Sequence, residues 1–402
     1  MRSIFIMLIS VFSFVTINGQ VLTREDSLSA GLIASEHATL ISGYGEAKVG
    51  YDLKSNTAEA NLTRNVIFLG HKFNSKISLF SEWEIEDAKV EGGEPGGEIA
   101  IEQLFIKFNL SRDIYLNAGL FIPRIGIINE NHLPTTFNGV DRPFVETFVI
   151  PATWREIGIG IFGQTPRLQG FNYSLCLMNG LNSEGFGGEK GIREGRYEGR
   201  EASARNMALT GSVLYYMNSF RFQISGYYGG TVGLSPADAD SLKLNDGAFG
   251  TPDILGEASI QYAGKGLSGR ILGTVIAIPD AAKLNDAYGN NAANQMWGGY
   301  AELGFNILSL CNNSTSSLTL FSRYEMFDLN AQMPANGIKD GLLNQQYFVV
   351  GISYLPISGV AIKADFVQRT TGTPDPTLHV FAPGEQYFAS RGFVNLGIAY
   401  SF

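Results

Sequence analysis

Charged side chains of both signs crowd into a stretch that has neither a helical nor a strand period. Residues 122–153, IPRIGIINENHLPTTFNGVDRPFVETFVIPAT, carry Arg124, Glu130, Asp141, Arg142 and Glu146 beside four prolines and several aromatics, and Arg155 follows. Carboxylates and guanidinium groups held together on a fixed loop suit an aqueous constriction, where they set the charge a solute meets and the width it must pass. Catalysis fits the residues less well, because it needs a nucleophile or an activated water beside a base. The four histidines, His37, His71, His132 and His379, are scattered and read as surface or interface polar groups, too few for a metal cluster. The glycine-rich words GYGEAKVG and GFGGEKG lack the strand-to-helix context of a phosphate-binding loop. The expectation is no enzyme and no cofactor. The acidic loop Asp87 to Glu98 offers oxygen ligands of the kind Ca²⁺ takes, but it lacks an EF-hand arrangement and reads first as a solvated loop.

A loop this long must be held by what flanks it. From about Ala38 onward, segments of nine to twelve residues alternate apolar with polar or small residues, and a turn or loop separates each from the next. In the last segment Val394, Leu396, Ile398, Tyr400 and Phe402 fall on one face and Asn395, Gly397, Ala399 and Ser401 on the other. Alternation alone does not separate a soluble sandwich from a membrane barrel. The connections do, because short ones (74–75, 111–113, 217–219, 263–266) alternate with long ones (87–97, 122–153, 179–203, 230–251), and only the first outer connection, Asp52 to Thr57, breaks the pattern. Short turns at one rim, long loops at the other and an even strand count are the layout of an outer-membrane barrel. The fold class is therefore all-β, a 16-stranded antiparallel transmembrane β-barrel with an inward-folded third loop. Aromatic residues near the segment ends, among them Trp83, Tyr115, Tyr228, Trp297, Tyr324 and Tyr354, suit interfacial girdles.

Composition agrees. Phe, Tyr and Trp total 47 and Gly 48 of 402 residues. No apolar run after the N-terminus is long enough for a membrane helix, whereas strands need none. Arg2 followed by the apolar run Ile4 to Ile17 reads as a signal peptide cleaved after Gly19, with residues 20–37 a periplasmic tail and 38–402 the barrel. Cys176 and Cys311 are too far apart in sequence to suggest a disulfide scaffold. A net charge of −9 argues against nucleic acid as a partner.

Strand parity assigns Lys107, Arg221, Arg270, Arg323, Lys363 and Arg369 to the lumen wall, together with Glu82, Glu84, Glu156, Glu257, Glu302, Glu325 and Asp365. Strand two, Ala58 to Lys72, has no cleanly apolar face, so Arg64 stays unassigned.

The run AGLFIPRIGIINENHLPTTFNGVDRPFVE followed by PATWREIGIGIFG, and later GIREGRYEGREAS, resembles the outer-membrane porin family related to the phosphate-selective porins O and P. The resemblance covers most of the mature chain, with its most specific words in residues 118–163. It implies a homotrimer in the outer membrane of a Gram-negative bacterium, with lipid around it and small hydrophilic solutes diffusing passively through a channel narrowed by the third loop. Phosphate-selective members carry basic ladders down the lumen; mixed charges here form none. Mixed charges suggest instead a transverse field like that of a general porin, with Glu130, Asp141 and Glu146 its acidic side and Arg124, Arg142 and Arg155 basic groups in or beside it. Those charges either line the constriction or pair with one another and pin the loop. The alternative function is a surface-binding protein or scaffold with a plugged lumen.

Overall fold

The computed structural model describes residues 38–87, 97–311, 314–379 and 387–402. The signal peptide and the tail to residue 37 fall outside them, as do residues 88–96 of the acidic loop, on which the Ca²⁺ reading rests.

Among the described residues sixteen strands close into one antiparallel barrel, each paired with its neighbours in sequence and the first with the last. One side runs β1 (Ala38–Asp52), β2 (Thr57–Lys72), β3 (Ile77–Glu86), β4 (Glu98–Asn109), β5 (Ile114–Phe121), β6 (Glu156–Gln164), β7 (Phe171–Asn179) and β8 (Met207–Met217). The other runs β9 (Phe220–Gly230), β10 (Pro252–Gly264), β11 (Leu267–Ala277), β12 (Gln295–Asn306), β13 (Ser317–Gln332), β14 (Asn344–Ile357), β15 (Val360–Thr371) and β16 (Ser390–Ser401). Tyr44 lies opposite Ser401 where β1 meets β16, and the Gly43 and Phe402 backbones bond each other in both directions, so the barrel has no open edge there. The alternation of connection lengths holds with two exceptions, the short link 53–56 between β1 and β2 on the long rim and the long link 307–316 between β12 and β13 on the short rim.

Period two puts an apolar band outside. Ile67, Ile224, Ile271, Leu303, Leu396 and Ile398 are all more than half exposed, and Trp83, Tyr228, Trp297, Tyr324, Tyr354 and Tyr400 stand on the same outer face. A soluble protein does not present so much contiguous apolar surface to water, whereas hydrocarbon is its proper solvent. Tyr115 is an exception to the girdle reading: its ring stacks on Phe162 and its hydroxyl accepts a hydrogen bond from Arg124, on the lumen side. The lumen side is also less polar than expected. Phe68, Phe80, Phe105, Phe121 and Phe162 form a continuous inner row across β2 to β6, with centroid spacings of 5.3 to 6.2 Å.

Both cysteines are free, Cys176 buried in β7 and Cys311 exposed after β12.

Candidate functional site: the segment inside the barrel

Residues 122–155 leave β5 and return to β6 after crossing the lumen. Pro123, Pro134, Pro143 and Pro151 lack an amide hydrogen and fix φ, so the segment forms no ladder and only one helical turn, α1 (Val145–Phe148). Its backbone groups must then find partners outside regular structure. The lumen wall supplies them. Lys363 Nζ on β15 donates to the carbonyls of Pro134 (2.5 Å) and Gly139 (2.9 Å), and Arg270 on β11 donates to Thr136 O at 2.6 Å. The Val140 amide donates to Asp365 (2.7 Å) and the Val145 amide to Glu325 (2.9 Å), while Asn138 Nδ2 donates to Glu302 (3.0 Å). Arg323 ties these acceptors together through Glu302 (3.2 Å) and Glu325 (2.6 Å). On the far wall Gln223 donates to Gly126 O at 2.9 Å and to Glu257 at 3.3 Å.

The segment also has an apolar side. Ile125, Val145, Val149, Ile150 and Trp154 are buried against inward residues of β10 to β14, including Leu255, Leu272, Tyr300, Phe327 and Tyr347. As a result nearly all inward positions along the wall are buried.

The charges named from the sequence divide by partner. Glu130 is held between Arg124 Nε (3.4 Å) and Arg221. Glu146 accepts the amides of Ile127 (2.6 Å) and Ile128 (2.7 Å) on one oxygen and the Tyr300 hydroxyl (2.6 Å) on the other. Gly126 fits beside it: its φ of +77° suits glycine, and a Cβ there would lie 2.7 Å from the Glu146 carboxylate. Arg142 donates to His132 O at 3.3 Å, and Arg155 pairs with Glu198 at 3.1 Å in the next long loop rather than with an acid of its own segment. Asp141 pairs with Lys48 on β1 at 2.7 Å, and with side chains 32% and 37% exposed this is the wettest of the loop-to-wall ion pairs. The remaining wall residues have local partners: Lys107 over the Tyr115 ring, Arg369 over Phe393, Glu84 with Arg64, Glu156 with Asn179, and Glu82 with Gln103.

The next long loop seals the segment from outside. Arg193 and Arg196 donate to the carbonyls of Thr147, Ala152 and Thr153, and Ile192 and Phe186 are buried between. Residues 192–196 of that loop thus cover the segment.

Burial pushes Glu146 up to about 7 despite its three donors, which favour the ionised form. With the segment released, the carboxyl would titrate near its ordinary 4.5. The packed state therefore keeps a proton that the released state gives up. Rising pH favours release between 4.5 and 7, by roughly 3 kcal/mol over the whole window. Current noise from segment opening is expected to grow as pH rises from 5 to 7.5, and Glu146→Gln should flatten that dependence. Noise that falls with pH would reverse the sign.

Parity missed Arg64, Glu102 and Lys48. Arg64 bonds Glu46 (2.7 Å) and Glu84 (3.2 Å) inside the barrel. A bulge shifts the β1–β2 register between Glu46 and Lys48, and this is why strand two showed no clean face. A second bulge opposite Glu82 and Trp83 turns both Glu102 and Gln103 inward. Lys48 needed no bulge, since the Tyr44, Glu46, Lys48 alternation on β1 was legible.

No family model matches the chain. It is 31% identical over 342 residues to an uncharacterized protein of Aquifex aeolicus (strain VF5), covering 82% of this chain and 75% of that one. Among solved structures it is similar to Salmonella typhi OmpF in complex with daunomycin (TM-score 0.56, 10% identity, 91% and 98% of the two chains). It is also similar to the anion-selective porin of Comamonas acidovorans (0.54, 12%, 91% and 100%). A third similar structure is the trimer form of OmpT, an outer membrane protein of Vibrio cholerae (0.51, 8%, 92% and 100%). These likenesses establish a porin-type outer-membrane barrel as the fold.

Proposed function

The chain belongs to the family of the Aquifex aeolicus protein, and from that premise and its porin-type barrel we propose that it is an outer-membrane channel for passive diffusion of small polar or ionic solutes. The observation that carries the reading is the seam at β1. There the inward segment meets the wall through Lys48 and Asp141, each about a third exposed, whereas the other loop-to-wall contacts between charged groups, Glu130 with Arg221 and His132 beside Glu82 and Glu102, are buried. Solutes pass beside segment 122–155 along that seam, in a bore narrower than an open barrel would give. Opposite charges on the two sides of the seam orient polar solutes and make ion selectivity weak.

The relation to the phosphate-selective porins O and P is a further part of the reading, without their selectivity. Lys363, Arg270 and Arg323 spend their donors on loop carbonyls and carboxylates and leave no basic ladder for an anion to climb. Assembly as a homotrimer is proposed on the likeness to the V. cholerae trimer.

Asp141→Asn should shift the reversal potential in a salt gradient toward anions, and Lys48→Gln toward cations. Unchanged selectivity in both would remove the seam from the pathway. One observation favours a second reading, a plugged barrel serving surface binding: nearly the whole inner wall is buried. That reading predicts no steps from folded protein in a planar bilayer.

A further inference from the structure

His132 reaches from the inward segment to the wall where β3 and β4 lie side by side. Its side chain is 93% buried, and neither ring nitrogen has a hydrogen-bond partner among the described residues. Nε2 nonetheless stands 3.7 Å from Glu82 Oε1 and 3.6 Å from Glu102 Oε2, both carboxylates fully buried, and ligand atoms of all three residues lie within 4.8 Å of one another. These separations are too long for hydrogen bonds. They match the edge of a ligand tetrahedron, which for bonds of about 2.1 Å measures about 3.4 Å.

We propose that Glu82, Glu102 and His132 bind one divalent transition-metal cation of the Zn²⁺ class, clamping the inward segment to the barrel wall. The donor set selects the class. Imidazole favours Zn²⁺ and its neighbours over Ca²⁺ or Mg²⁺, and two carboxylates neutralise the charge of a buried dication. Outer partners already orient the ligands. Gln103 Nε2 donates to Glu82 Oε2 at 2.8 Å and the Tyr44 hydroxyl donates to Glu102 Oε2 at 3.2 Å, leaving Glu82 Oε1 turned toward His132. A cavity of about 30 Å³, lined by Glu82, Gln103 and His132 among others, adjoins the site and has room for a water in the fourth position. The sequence hid the site because its histidine comes from a loop and Glu102 turns inward only through the β4 bulge.

The metal itself does not depend on the channel reading; the consequence for the bore does. The test is therefore read in detergent, without conductance. Folded protein is stripped with a chelator and titrated with Co²⁺, then challenged with Zn²⁺, Ca²⁺ and Mg²⁺, following the visible Co²⁺ absorption and metal content per chain. The expected result is one Zn²⁺ per chain, displacing one Co²⁺ of four- or five-coordinate spectrum. His132→Ala should abolish both, and Gln103→Leu, outside the coordination shell, should weaken affinity about 10- to 100-fold. If His132→Ala fails to give a heat-modifiable barrel, Glu102→Gln serves in its place with the same expected loss. No stoichiometric metal in the unsubstituted protein, equal binding in the variants, or preference for Ca²⁺ or Mg²⁺ over Zn²⁺ would each overturn the proposal.

Discussion

Replacing Arg323 with methionine should leave a barrel that assembles but conducts several-fold more current and loses its heat-resistant form at a lower temperature. Arg323 is 1% exposed and pairs at once with Glu302 and Glu325, both buried. Removing one partner of such a network strands the others as uncompensated charges, at a cost of about 3–5 kcal/mol. The strain is released most easily through the loop. Glu302 and Glu325 hold Asn138 and the Val145 amide, and Arg323 itself donates to Asp141 O at 3.4 Å. Strand pairing at this level uses backbone groups and is untouched, so position 323 stays opposite Glu302 in register. Residues 138–145 are the part expected to detach, and single-channel conductance with a gel-shift melting series reads both effects.

Glu146→Ala should open the same segment from its other side. The substitution leaves the amides of Ile127 and Ile128 and the hydroxyl of Tyr300 without an acceptor in a dry interior. Each orphaned donor costs about 1–3 kcal/mol, so the packed conformation loses several kcal/mol. The apolar contacts of Val145, Val149 and Ile150 remain, so the expected outcome is a noisy, frequently opening channel rather than a steadily wide one. Tyr300→Phe removes a single donor and should be mild. Equal conductance and noise in Glu146→Ala and the parent would mean that the segment does not limit the bore.

What the sequence made legible follows from period two. The strands, the alternation of loop lengths and the inward set on β9 to β15 needed only unbroken alternation, and so did the outer face of Val394 to Phe402. The prolines and mixed charges marked 122–153 as a segment folded against something. The partners lay beyond that kind of reading. Lys363, Arg270 and Asp365 bind backbone groups some 130 to 230 residues away, and no local pattern encodes which carbonyl a lysine will meet. Two bulges defeated parity where it mattered most, hiding Arg64 and Glu102. Apolar lumen residues such as Phe80 and Phe105 were unexpected because they serve a filled interior, and alternation does not say what fills it.

Planar-bilayer recording of the purified, folded protein shows whether water and solutes pass beside a segment that sets the bore. Small steady steps are expected from the parent protein, grouped in threes if the trimer holds, and larger steps once Arg323 or Glu146 is replaced. Silence from the parent alongside conduction by a loop-released variant would contradict such passage and make the segment a plug.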